Sequence, residues 1–143
     1  MKPRLTDFAR NVYSQAGEDG ILEAIFERIG MQSRVCIEFG AWDGLHLSNT
    51  ALFWHSGWRA VLIEASPDRF RSLLQNTSGY DCLCLNQMVT PEGHNALESL
   101  LNRNGVDGPA DLLVIDVDGD DRRAFFGEQQ RRVIADAAAR SRD

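Results

Sequence analysis

No apolar run in these 143 residues approaches the roughly 18 that a membrane-spanning helix needs. The first residues, Met1 to Phe8, hold no apolar stretch of the kind a secretory signal requires, so the expected address is the cytoplasm. Basic charge is scarce. Lys and Arg number 15 against 21 Asp and Glu, and the formal net charge of −6 argues against a nucleic-acid binder, because neutralising phosphates takes a basic surface. Cysteine is scarce as well: Cys36, Cys82 and Cys84 make an odd count whose single C-x-C has no second pair, poor material for a zinc site or a disulfide framework. Buried, inert thiols in strands are the expectation. His46, His55 and His94 show no metal-ligand spacing, and no internal repeat divides the chain.

What is present is an ordinary globular composition, 43% apolar and 25% charged, on a chain long enough for one core. Ile21, Leu22, Ile25, Phe26 and Ile29 recur at helical spacing after Glu18, and Gly30 supplies a stop. Val35 to Phe39 is a short apolar run, read as a buried strand. Ser48-Asn49-Thr50 precedes a short helix from Ala51 to His55, and Ala60 to Glu64 is a second strand ending in an acid. Pro67 opens the next helix at its first position. Asp81 to Leu85 is a weaker strand, Asn95 to Asn104 a helix, and Asp111 to Asp116 a fourth strand. Helices alternating with continuous apolar strands predict an α/β fold with a parallel sheet covered on both faces.

Ligands of such sheets bind beyond the carboxyl ends of the strands. Here those ends read Glu38-Phe39-Gly40-Ala41-Trp42-Asp43-Gly44, then Glu64-Ala65-Ser66, then Asn86, then Asp116-Val117-Asp118-Gly119-Asp120-Asp121. Gly40 and Gly44 permit a tight turn and close backbone approach, and Glu38 offers a carboxylate to a cation or hydroxyl. Glu64, twenty residues past Gly44 at the end of a strand, suits the two hydroxyls of a ribose. A dinucleotide fold expects G-x-G-x-x-G, whereas this loop reads E-x-G-x-x-x-G, which disfavours NAD. The acids from Asp116 to Asp121 do not form an EF-hand pattern, and no metal is assigned to them. Trp42 is read either as a stacking surface or as a core plug, and Trp54 and Trp58 as packing residues.

Several segments in order, Tyr13-Ser14-Gln15-Ala16-Gly17-Glu18-Asp19-Gly20-Ile21, Cys36 to Gly44, Ser48-Asn49-Thr50, Gly57-Trp58, Leu62 to Ala65 and Leu113 to Asp121, resemble the FkbM-type S-adenosylmethionine-dependent methyltransferases. The resemblance runs from about Asn11 to Asp121. It implies a Rossmann-like methyltransferase three-layer sandwich with a mostly parallel sheet, and S-adenosyl-L-methionine over the first two strands. Carried over by position, Glu38, Gly40, Ala41, Trp42 and Gly44 match the first cofactor motif, Glu64 the ribose-binding acid, and Asp116 a position beside the transferred methyl. Asp116 and Asp118 are the candidate bases for an acceptor hydroxyl. The implied reaction is O-methylation of a small-molecule hydroxyl, on a sugar or secondary metabolite, with no nucleic-acid or membrane partner. The alternative is a catalytically silent remnant or a module that only binds the cofactor.

After Asp121 the resemblance stops. Residues 1–121 hold 9 basic and 18 acidic side chains, whereas residues 122–143 hold six arginines and three acids. The expectation is therefore a domain over 1–121, incomplete at its C-terminal side, and a divergent, arginine-rich helical tail over 122–143. A missing fifth strand would leave the edge of the fourth unpaired, a route to self-association.

Overall fold

The computed structural model describes residues 1–117. A short 3-10 helix, Leu5–Phe8, precedes α1 (Glu18–Ile29), β1 (Val35–Phe39), α2 (Ala51–His55), β2 (Arg59–Ile63), α3 (Pro67–Asn76), β3 (Cys82–Leu85), α4 (Leu97–Arg103) and β4 (Leu112–Ile115). The four strands form one all-parallel sheet in the order β3-β2-β1-β4, an α/β arrangement compatible with a Rossmann-like fold. Two compact units contain these elements. One comprises residues 1–86 and 108–116 and carries the whole sheet; the other includes residues 87–107 with α4.

Register decides which side chains share a face. Because strand side chains alternate, Cys36 of β1 lies level with Ala60 of β2 and Leu112 of β4, and Ala60 in turn with Cys82 of β3. These positions, with Leu62 and Cys84, pack against Phe26 of α1, Phe53 and Trp54 of α2, and Leu73 of α3. Phe26, Phe53 and Trp58 meet edge-on or tilted, with ring centroids 4.8 to 5.4 Å apart. The two tryptophans read as packing residues are indeed buried. Burial pushes the Cys36 thiol far up, and the neighbouring Glu38 adds to it. The half-buried Cys82 thiol is pushed up to about 12, again chiefly by burial. Both stay protonated at neutral pH, as expected of structural thiols.

The opposite face holds Ile37, Phe39, Val61 and Ile63, all buried. On β4, which with β3 is one of the two edge strands among the described residues, Leu113 and Ile115 of that face are 48% and 45% exposed. The residues expected to form the tail, 122–143, lie outside the described residues.

Local polar contacts explain the segments that join the elements. Asp19 is buried at the start of α1, where one carboxylate oxygen accepts the N–H groups of Val12, Tyr13 and Ser14 at 2.7 to 2.9 Å. The Ser14 hydroxyl accepts the Asp19 N–H in return, so reciprocal bonds tie the segment before α1 to its first turn. Glu18 accepts the Ala16 N–H at 2.6 Å. Asp111, just before β4, accepts the N–H groups of Gln32, Ser33 and Arg34, and those bonds hold its carboxyl below the usual range although partial desolvation opposes them.

Candidate functional site

The carboxyl ends of β1, β2 and β4 come together around the segment from Gly40 to Leu47. That segment is tightly wound: Gly40 and Gly44 have φ of 79° and 82°, and the non-glycine residues Trp42 and Leu47 have φ of 53° and 54°. A bulky side chain in the left-handed region costs of order 1–3 kcal/mol and persists only where its surroundings over-determine it. At Trp42 the constraint is visible, because its N–H donates to Glu64 Oε2 at 2.8 Å.

Glu64 follows β2 directly and is only 5% exposed. Its second oxygen accepts the Ser66 N–H at 2.7 Å, and its own N–H donates to the Leu85 carbonyl at 3.0 Å. The Asn86 side chain donates to the Glu64 and Ala65 carbonyls, tying the end of β3 to the same spot. The carboxylate therefore fixes both the turn after β1 and the start of α3. Each of its oxygens accepts one N–H bond, and a carboxylate oxygen has room for a second.

Most N–H groups of the turn are used internally. Those of Gly40 and Ala41 both donate to the Ile63 carbonyl, that of Gly44 to Ala41, and those of Leu45 and His46 to Asp43 Oδ1. No row of free amides is left to cradle a pyrophosphate. The two glycines are needed for packing as well as for their φ values. A Cβ on Gly40 would lie 1.4 Å from the Asp116 carbonyl oxygen, and one on Gly44 would lie 2.7 Å from Leu73 Cδ1. Space that the sequence reading left for a ligand is thus occupied by β4 and α3.

Glu38, 2% exposed, lies beneath this turn. Its Oε2 accepts the Ser48 hydroxyl at 2.9 Å and the Thr50 hydroxyl, while Ser48 Oγ accepts the Ala51 N–H at 3.0 Å. Ser48 and Thr50 thus both launch α2 and anchor the buried carboxylate. Burial raises the Glu38 carboxyl to about 7; the bonds from Thr50, Ser48 and the Asn49 N–H pull it down, and the charge of Asp116 pushes it further up. Asp116 itself is exposed, and its N–H prolongs the ladder to the Phe39 carbonyl at 3.0 Å. Asp118, the other candidate base, lies outside the described residues.

Trp42 is not a core plug: it is 39% exposed, with the Arg69 guanidinium 3.8 Å from its ring centre and the His46 ring 5.5 Å away. Nothing in the sequence reading singled out Arg69. Its signal was a cation in the first turn of a helix, where the dipole disfavours it. Among the described residues no group of three or more His, Cys, Asp and Glu is placed to hold a metal ion, and no helix is long and apolar enough to cross a membrane. No family model matches the chain, and no curated protein or solved structure matches it either.

Proposed function

We propose that this chain carries the S-adenosylmethionine-binding part of a Rossmann-like O-methyltransferase. The observation that carries the reading is Glu64: a nearly buried carboxylate at the carboxyl end of β2, pinned by Trp42 and Ser66 N–H groups, with one accepting position on each oxygen unused among the described residues. That capacity fits the paired hydroxyls of a ribose. The turn after β1 favours a cofactor without a pyrophosphate, since most of its amides, those of Gly40, Ala41, Trp42, Gly44, Leu45 and His46, already have partners.

In this reading Glu64 holds the ribose, and the turn from Gly40 to Gly44, with Ala41 and Trp42, walls the cofactor in. S-adenosylmethionine supplies a methyl group already attached to a good leaving group, so the protein's task is mainly alignment. Glu38 holds the start of α2 in place through Ser48 and Thr50 and supports the wall from below. The acceptor is a small hydroxylated molecule, and the carboxylate of Asp116 or that of Asp118, two residues further on, takes the hydroxyl proton.

Calorimetric titration with S-adenosylhomocysteine tests the reading. The full chain should bind it, and Glu64→Gln should weaken binding by about 1–3 kcal/mol, the range for hydrogen bonds to a charged acceptor. Equal affinity in wild type and a Glu64→Gln variant of unchanged circular dichroism removes Glu64 from the ribose, and no binding by the wild type ends the proposal. Binding without methyl transfer to any hydroxylated acceptor identifies the cofactor-binding module instead.

A further inference from the structure

Trp42 and Arg69 form a cation-π pair at the carboxyl end of the sheet, between the turn after β1 and the first turn of α3. Trp42 keeps a strained left-handed backbone yet is 39% exposed, and the central carbon of the Arg69 guanidinium lies over its ring, 3.8 Å from the ring centre. Arg69 also stands in the first turn of α3, where the helix dipole repels a cation. Three acids of the neighbouring turns and of its own helix have other partners. Glu64 accepts the Trp42 and Ser66 amides, Asp43 accepts the Leu45 and His46 amides, and Asp68 pairs with Arg71 at 3.5 Å. Among the described residues Arg69 forms no ion pair. Stacking on an indole fixes the plane of a guanidinium and leaves the N–H groups along its edge pointing outward, the arrangement that grips a carboxylate or phosphate in bidentate fashion.

We infer that Arg69, oriented by Trp42, is a specificity residue that takes an oxyanion of the acceptor, so that the molecule bound here is a hydroxylated ring bearing a carboxylate or a phosphate. The ring lies along the exposed part of Trp42 and the anionic group meets the guanidinium edge. A neutral sugar lacks the second contact. This inference rests on the proposed methyl-transfer site for the word acceptor, but its anion-binding content stands separately.

The test is titration of the full chain with glucuronate and glucose 6-phosphate against glucose, with and without S-adenosylhomocysteine. Emission reports binding at Trp42, since the other two tryptophans are buried. At least one acid should bind tenfold or more tightly than glucose; Arg69→Gln should erase that preference, and Arg71→Gln should keep it. S-adenosylhomocysteine affinity should change less than twofold in Arg69→Gln. Equal affinity for acids and glucose, no saturable response to either acid, or a preference surviving Arg69→Gln overturns the inference. So does an equal loss of S-adenosylhomocysteine affinity in Arg69→Gln, which would assign the arginine to the cofactor's own carboxylate. A chain that prefers acids through Arg69 but does not bind S-adenosylhomocysteine keeps this inference and loses the methyl-donor reading; the reverse pattern does the opposite.

Discussion

Replacing Glu38 with glutamine removes a proton-binding group and keeps its size, and the consequence is a change in how stability depends on pH. In the folded protein burial holds the carboxyl at about 7. In the unfolded chain it titrates near the ordinary value of about 4.3. Between those two values the folded state keeps a proton that the unfolded state has released, so stability falls as pH rises and levels off above the folded value. Working from pH 5.5 stays clear of the isoelectric point near 5.0 and leaves about 1.5 pH units of that window, worth about 2 kcal/mol at 1.36 kcal/mol per unit. Glu38→Gln should lose this component, so its stability relative to wild type should improve by about 2 kcal/mol between pH 5.5 and pH 8. Titrating groups that do not interact with Glu38 contribute equally to both proteins and cancel. Urea unfolding followed by the emission of the buried Trp54 and Trp58 measures the difference at each pH. If the two proteins differ by the same amount at pH 5.5 and pH 8, Glu38 does not titrate in the folded state in this range and the assigned burial effect is wrong.

Gly40→Ala should cost more than about 3 kcal/mol or abolish folding, because the added Cβ overlaps the Asp116 carbonyl at 1.4 Å. Gly105→Ala, with a φ of 67° and open space around it, should cost about 1–2 kcal/mol in the same urea series; similar values for the two would contradict the packing at Gly40. Asp19→Ala leaves the Val12, Tyr13 and Ser14 amides without their acceptor and should destabilise by about 3 kcal/mol, at roughly 1 kcal/mol per bond. Glu23→Ala removes an exposed pair with Arg10 and should change stability by less than about 1 kcal/mol, so thermal melts that rank the two alike would refute the role given to Asp19.

The sheet was legible because its signals are local. Val35–Phe39 and Ala51–His55 have the bounds their apolar runs and flanking turn residues predict, and the four strands are parallel as the alternation requires. β2 differs by one residue: Arg59 joins it through pairing with Val35, and Glu64 lies just past its end, where its side chain turns into the site. The position of Glu64 at the end of β2 was legible, but its bonds to the Trp42 and Ser66 amides, which fix two turns, were not. The partners of Glu38 were not, because the Ser48 and Thr50 hydroxyls serve helix start and carboxylate at once and their spacing shows only the first use. The reason for Gly40 was hidden too. Its neighbour is the backbone of Asp116, and no residue type in the sequence announces a main-chain contact over that distance. Arg69 escaped for a similar reason: its partner, Trp42, belongs to a different turn, brought close by the Glu64 bonds and by the bond from the Asn76 side chain to the Asp43 carbonyl.

The placement of β4 beside β1 carries a consequence for the order of events in folding. Asp111 bonds to the amides of Gln32, Ser33 and Arg34 across 77 to 79 residues of chain, while β1, β2 and β3 pair with near neighbours in sequence. Closing so long a loop costs more entropy than the short β1–β2 crossover, so the three-strand sheet has every reason to assemble before the fourth strand arrives. β4 is then a late addition, held by its ladder to β1 and by the Asp111 clamp, and it is the first strand to leave when stability falls. A peptide spanning residues 108–116, supplied from outside, has the chemistry to take its own place in a chain that lacks it.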